Sequence, residues 1–148
     1  MELQTDFKEL LELFNAHGVD YLIVGGYALA FHGAPRYTGD IDLLVEPVPE
    51  NARRVIAALT EFGFGSLGLS AADLEQPEQV IQLGMPPVRV DIITSVTGVS
   101  WAEAWEGKAS GQYGGLPVYY LGRDQLLTNK RATGRNKDLA DIEALGED

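Results

Sequence analysis

The 148-residue chain has no cysteine, only two histidines and half as many basic as acidic side chains, eleven Lys and Arg against twenty-two Asp and Glu. The absence of cysteine excludes a disulfide framework and thiolate metal sites. His17 and His32 alone are too few for a histidine-built zinc centre. Any metal must therefore be held by oxygen, which favours magnesium, with manganese as the alternative. A long apolar run is also missing, and the opening residues MELQTDFKEL carry acids where a secretory signal carries bases ahead of an apolar stretch. The expectation is a cytoplasmic protein that makes no membrane contact. A formal charge of −11 sets most of the surface against a phosphate backbone, so a nucleic-acid ligand would need a local basic patch. Lys130, Arg131, Arg135 and Lys137 gather four of the eleven positive charges, and they serve as such a patch or as a solvated helix face.

What is present fits one globular domain over residues 1–148, since 45% hydrophobic residues can fill a single core but not two. Phe7, Leu10, Leu11 and Phe14 lie at helical spacing between Thr5 and His17. Tyr21 to Val24 is a short apolar strand that runs into Gly25 and Gly26, followed by a helical turn to Phe31. A second strand spans Asp40 to Val45, and a helix carrying Ala52, Val55, Ile56, Leu59 and Phe62 follows Pro47 and Pro49. Between Ser66 and Pro77 the pattern gives only a short helix around Ala71 to Glu75. Val80 to Leu83 and Val88 to Ile93 predict a hairpin with the four-residue connection Gly84 to Pro87. Ser100 and Glu103 form a capping box that opens a helix through Trp105. Weak strands at Gln112–Tyr113 and Val118–Tyr120 precede two helices, Asp124 to Ala132 and Lys137 to Leu145, with Asn136 able to cap the second.

Chemistry concentrates in a few acids and glycines. Asp40 and Asp42 stand two apart on a strand, so both carboxylates leave the same face. Two like charges so close call for a cation or a proton, although an exposed edge strand carries the same pattern. Asp91 is an acid inside the apolar run Val88 to Ile93. If its strand lies beside that of Asp40, three carboxylates converge, enough to bridge two magnesium ions in phosphoryl transfer; otherwise Asp91 is a solvent-facing residue paired with Arg89 or another base. Gly25 and Gly26 stand where a strand hands over to a helix, either as a phosphate cradle or as a tight turn.

Together the run VGGYALAFHGAPRYTGDIDLLVE, the later VRVDII and the tail LGRDQLLTNKRATGRNKDLADIEAL resemble the minimal, stand-alone and abortive-infection toxin-like nucleotidyltransferases of the DNA polymerase beta superfamily. The resemblance covers nearly the whole chain and is weakest between Ser66 and Pro77. It implies an α/β (α+β) fold, a mixed β-sheet flanked by helices. It also implies Mg2+ held by Asp40, Asp42 and Asp91, and transfer of a nucleoside monophosphate from an NTP to a hydroxyl acceptor with release of pyrophosphate. The acceptor is left open among a tRNA end, a protein and a small molecule, and a HEPN-type protein partner in a toxin–antitoxin pair is implied in the same way. Gly25, Gly26, Arg36, Thr38, Lys130, Arg135 and Lys137 match the family's nucleotide-binding positions, Arg36 to contact phosphate or brace an aspartate and Arg135 to contact the NTP or an acceptor. Many relatives carry Ser where this chain has Gly26, so one phosphate contact is lost. Asp138 and Asp141 read as first-turn helix acids favoured by the macrodipole, with Lys137 and Asp141 spaced as an i,i+4 pair.

Overall fold

The protein is described here by a computed structural model covering residues 5–35, 39–65, 68–85 and 88–146. Helix α1 (Thr5–Ala16) buries Phe7, Leu10, Leu11 and Phe14 on one side, the stripe that their three- and four-residue spacing dictates. Strand β1 (Tyr21–Val24) is buried at all four residues and passes directly into helix α2 (Gly25–Phe31). Strand β2 (Asp40–Val45) precedes helix α3 (Pro49–Leu59), which opens on a proline, where no backbone N–H is needed. α3 runs on into a wide helical turn over Thr60–Phe64, in which Gly63 takes φ 114. A single turn at Ala71–Leu74, closed by a Ser70–Asp73 capping box, buries Leu74.

Strands β3 (Val80–Met85) and β4 (Val88–Ile93) pair antiparallel, and Gly84 and Met85 stay in the ladder opposite Arg89 and Val88. The expected four-residue connection is thus reduced to Pro86 and Pro87, which lie outside the described residues. Gly84 keeps its place in the ladder at φ 78, a backbone angle that a side chain would disfavour. Helix α4 (Trp101–Glu106) begins at the predicted Ser100–Glu103 capping box. Strands β5 (Ala109–Tyr113) and β6 (Leu116–Tyr120) form a longer hairpin than the sequence suggests, and helices α5 (Arg123–Thr133) and α6 (Asn136–Ala144) end the chain.

The six strands form one sheet in the order β3-β4-β2-β1-β6-β5. β2 runs parallel to β4 and β1 parallel to β6, while the remaining pairs are antiparallel, so the expected mixed sheet with helices on its faces is found. Alternation along the strands divides the interior in two. Tyr21, Ile23, Ile41, Leu43, Val45, Val90 and Ile92 meet α1 and α3 on one side. Leu22, Val24 and Leu44 meet α2, α5 and α6 on the other. Burying Ile41, Leu43 and Val45 is worth about 1.5–3 kcal/mol for each side chain. A one-residue slip of β2 would exchange these for Asp40 and Asp42, so hydrophobic burial fixes the face on which the two acids emerge. Among the described residues no helix is long and apolar enough to cross a membrane.

Candidate active site

The parallel register of β2 and β4 sets Asp40 opposite Arg89 and Asp42 opposite Asp91. Four side chains therefore leave neighbouring strands on one face, the face shared with α5 and α6. The condition on which the three-carboxylate reading depended, that the Asp91 strand lies beside the Asp40 strand, is met. Arg89 bridges two of the acids. Its Nε lies 3.3 Å from Asp91 Oδ1 and 3.7 Å from Asp40 Oδ2, and its Nη2 lies 3.5 Å from Asp91 Oδ2. Asp91 is the deeper of the two partners, 14% exposed against 36% for Asp40.

Asp42 is the most perturbed acid of the group. Burial, the charge of Asp91 opposite, a hydrogen bond shared with Asp91 and the charge of Asp40 push its carboxyl up to about 7, against the opposing pull of Arg89. Gly25 closes the site from the β1–α2 turn. It holds φ 67, and a Cβ there would run into Asp42 Oδ2, so both the backbone and the carboxylate require glycine. An all-oxygen donor set, two facing carboxylates of which one is forced toward its protonated form, and a turn stripped of side chain against that carboxylate fit an oxygen-liganded divalent cation. Among the described residues no three acidic or histidine side chains are already gathered as a metal cage, in keeping with the engagement of Asp40 and Asp91 by Arg89.

No protein-family model matches the chain, and no curated protein sequence matches it. Solved structures do. A candidate nucleotidyltransferase from Thermotoga maritima superposes with a TM-score of 0.59 at 15% identity, covering 98% of this chain and 93% of that one. The lincosamide antibiotic adenylyltransferase LnuA, solved with lincomycin bound, superposes with a TM-score of 0.51 at 14% identity, covering 99% and 98%. The chain has the nucleotidyltransferase fold.

The other expected site residues of this nucleotidyltransferase fold are placed unevenly. Gly26 is buried in the first turn of α2. Arg36 and Thr38 lie outside the described residues. Lys137 is exposed at the start of α6. Lys130, read from the sequence as a triphosphate contact, is instead buried, with Nζ 3.3 Å from Asp138 Oδ1 and 3.0 Å from Asp141 Oδ2. Arg135, more than half exposed, donates from Nε to Asp138 Oδ2 at 2.7 Å. Asp138 does lie in the first turn of α6, and both Asp138 and Asp141 are buried anchors for these cations. Arg135, not Asn136, occupies the cap position of α6, its backbone N–H donating to Asp138. The sequence held a signal for this. Leu126, Leu127 and Lys130 share one helical face of α5, and Asp138, Asp141, Ile142 and Leu145 share one of α6, so the charges sit on the buried faces.

Proposed function

We propose that this chain is a magnesium-dependent nucleotidyltransferase that moves a nucleoside monophosphate from an NTP onto a hydroxyl acceptor. The observation that carries this reading is the set of Asp40, Asp42 and Asp91 on one face of two adjacent strands, with Gly25 pressed against Asp42. The acceptor hydroxyl gives its proton to solvent as its oxygen bonds to the α-phosphorus, and the bond from that phosphorus to the oxygen bridging to the β-phosphorus breaks, releasing pyrophosphate. Bound magnesium would supply charge stabilisation to the entering and leaving oxygens. Asp40 and Asp42 hold the triphosphate side of the site, and Asp91 holds the acceptor side. Backbone N–H groups of Gly25 and Gly26 would meet the phosphates, a role that the resemblance also implies for Arg36 and Thr38. Of the three C-terminal cations that the resemblance implies at the nucleotide, Arg135 and Lys137 are exposed, whereas Lys130 is buried against Asp138 and Asp141.

A tRNA end, a protein hydroxyl and a small molecule are all acceptors of the right chemistry. Because an adenylyltransferase named for lincosamide antibiotics shares the fold, small hydroxylated molecules belong in the first screen. The net charge of −11 leaves little surface for a large nucleic-acid footprint. Service beside a HEPN-type partner in a toxin–antitoxin pair is part of the same proposal. Incubation with each α-labelled NTP, magnesium, total tRNA, cell lysate and small hydroxylated compounds tests it. Label should move to an acceptor, and Asp91→Asn should slow the transfer by roughly two to four orders of magnitude while leaving Mg–NTP affinity within a few-fold. If NTP binds and no label moves, a second reading holds, a non-catalytic NTP-binding module, which Gly26 in the place of serine favours.

A further inference from the structure

The acids of the candidate site already have a cation, and it is held more loosely than Arg135 is held by Asp138. Arg89 reaches Asp91 at 3.3 and 3.5 Å and Asp40 at 3.7 Å. Arg135 grips Asp138 at 2.7 Å, inside the range of a tight charge-assisted hydrogen bond. The Arg89 contacts all lie outside that range, and its side chain is 31% exposed. Arg89 is also carried on the same strand as Asp91, two residues before it, so it is delivered to this spot by the register that brings the acids together.

Three carboxylates on one face repel one another unless positive charge stands among them. From these contacts we infer that Arg89 is the resident counter-cation of the site, a placeholder that a divalent cation must displace from Asp91 and Asp40. The inference rests on the proposed function, since it presumes that these acids take a metal. A flexible, part-exposed side chain can swing outward without disturbing β4, and its loose contacts make that release inexpensive. Exposure sets Arg89 apart from a structural clamp such as Lys130, which is buried between Asp138 and Asp141.

The opposite signs of two effects in one variant test this. Arg89→Met should lower the melting temperature in EDTA, because the acids lose their neutralising charge. It should also bind Mn2+ alone, without nucleotide, about tenfold more tightly at pH 8 and low salt, because one positive charge close to the metal is gone. Arg89→Lys, which keeps the charge but loses the forked donor geometry, should fall between the two. Equal or weaker Mn2+ binding in Arg89→Met than in the wild type overturns the inference. If neither protein binds Mn2+ alone although α-label is transferred, the inference fails and the proposed function stands; if neither binds Mn2+ and no label moves, both fail. Should Arg89→Met not fold, the Arg89 Nε–H resonance of the wild-type protein decides. It should shift as Mg2+ is titrated, and an unmoved signal while the aspartate carboxyl carbons respond overturns the placeholder role.

Discussion

Asp42 is the residue at which fold and chemistry meet. Hydrophobic burial of Ile41 and Leu43 forces it onto the open face, Gly25 makes room for its oxygen, and Asp91 stands across from it. Because its pKa in the folded chain is pushed up to about 7 while an unfolded aspartate titrates near 4, the folded state holds the extra proton between those values. Its contribution to stability is therefore fully present below about pH 4 and is lost as pH rises through about 7. A metal takes the ionised form, so the same rise in pH should strengthen metal binding. In EDTA, the melting temperature of the wild type relative to Asp42→Asn should fall between pH 5 and pH 8. Over the same interval Mg2+ affinity of the wild type should climb, with proton release on binding. A relative melting temperature that rises with pH contradicts the assignment of Asp42 as the crowded acid.

Among the elements, the α5–α6 hairpin shows most clearly how charge can serve packing. Burial alone would favour neutral Asp138, but hydrogen bonds from Arg135 and Thr133 and the charge of Lys130 outweigh it and hold the acid well below the usual carboxylate range. The stability this group contributes is present above the ordinary aspartate range and is lost only as pH falls through its depressed value. Breaking a buried pair by removing one partner typically costs about 3–5 kcal/mol. Lys130→Met should therefore destabilise the protein by about 3 kcal/mol in urea unfolding. Lys137→Ala should change stability by less than about 0.5 kcal/mol and raise the apparent KM for NTP or acceptor, most at low salt. A Lys130→Met protein of wild-type stability would return Lys130 to the surface role suggested by its place in the basic cluster. The helices and strands were largely legible because each carries its own period: Phe7, Leu10, Leu11 and Phe14 for α1, and the short apolar runs of β1, β2 and β4. The extension of β3 through Gly84 and the full length of β5 were not legible, because Gly84, Ser110 and Gly111 are held in strands by pairing across the sheet and not by local preference.

The whole molecule brings to one place residues that its sequence keeps far apart. The Asp-x-Asp pattern, the later isolated acid and the glycine pair could each be read locally, and their convergence depends on the parallel pairing of β2 with β4, which no local pattern encodes. The bridging of Asp40 and Asp91 by Arg89 was hidden for the same reason, since Arg89 meets Asp40 only through that register. On the proposed function, these neighbouring strands build one cation site beside the β1–α2 turn. Anomalous diffraction from crystals grown with Mn2+ and a non-hydrolysable NTP measures this directly. The expected result is manganese on Asp40, Asp42 and Asp91, with Arg89 turned away from Asp40 and Asp91 and the triphosphate lying against Gly25. A crystal in which the nucleotide is ordered, no manganese lies on these carboxylates and Arg89 still bridges Asp40 and Asp91 would contradict it.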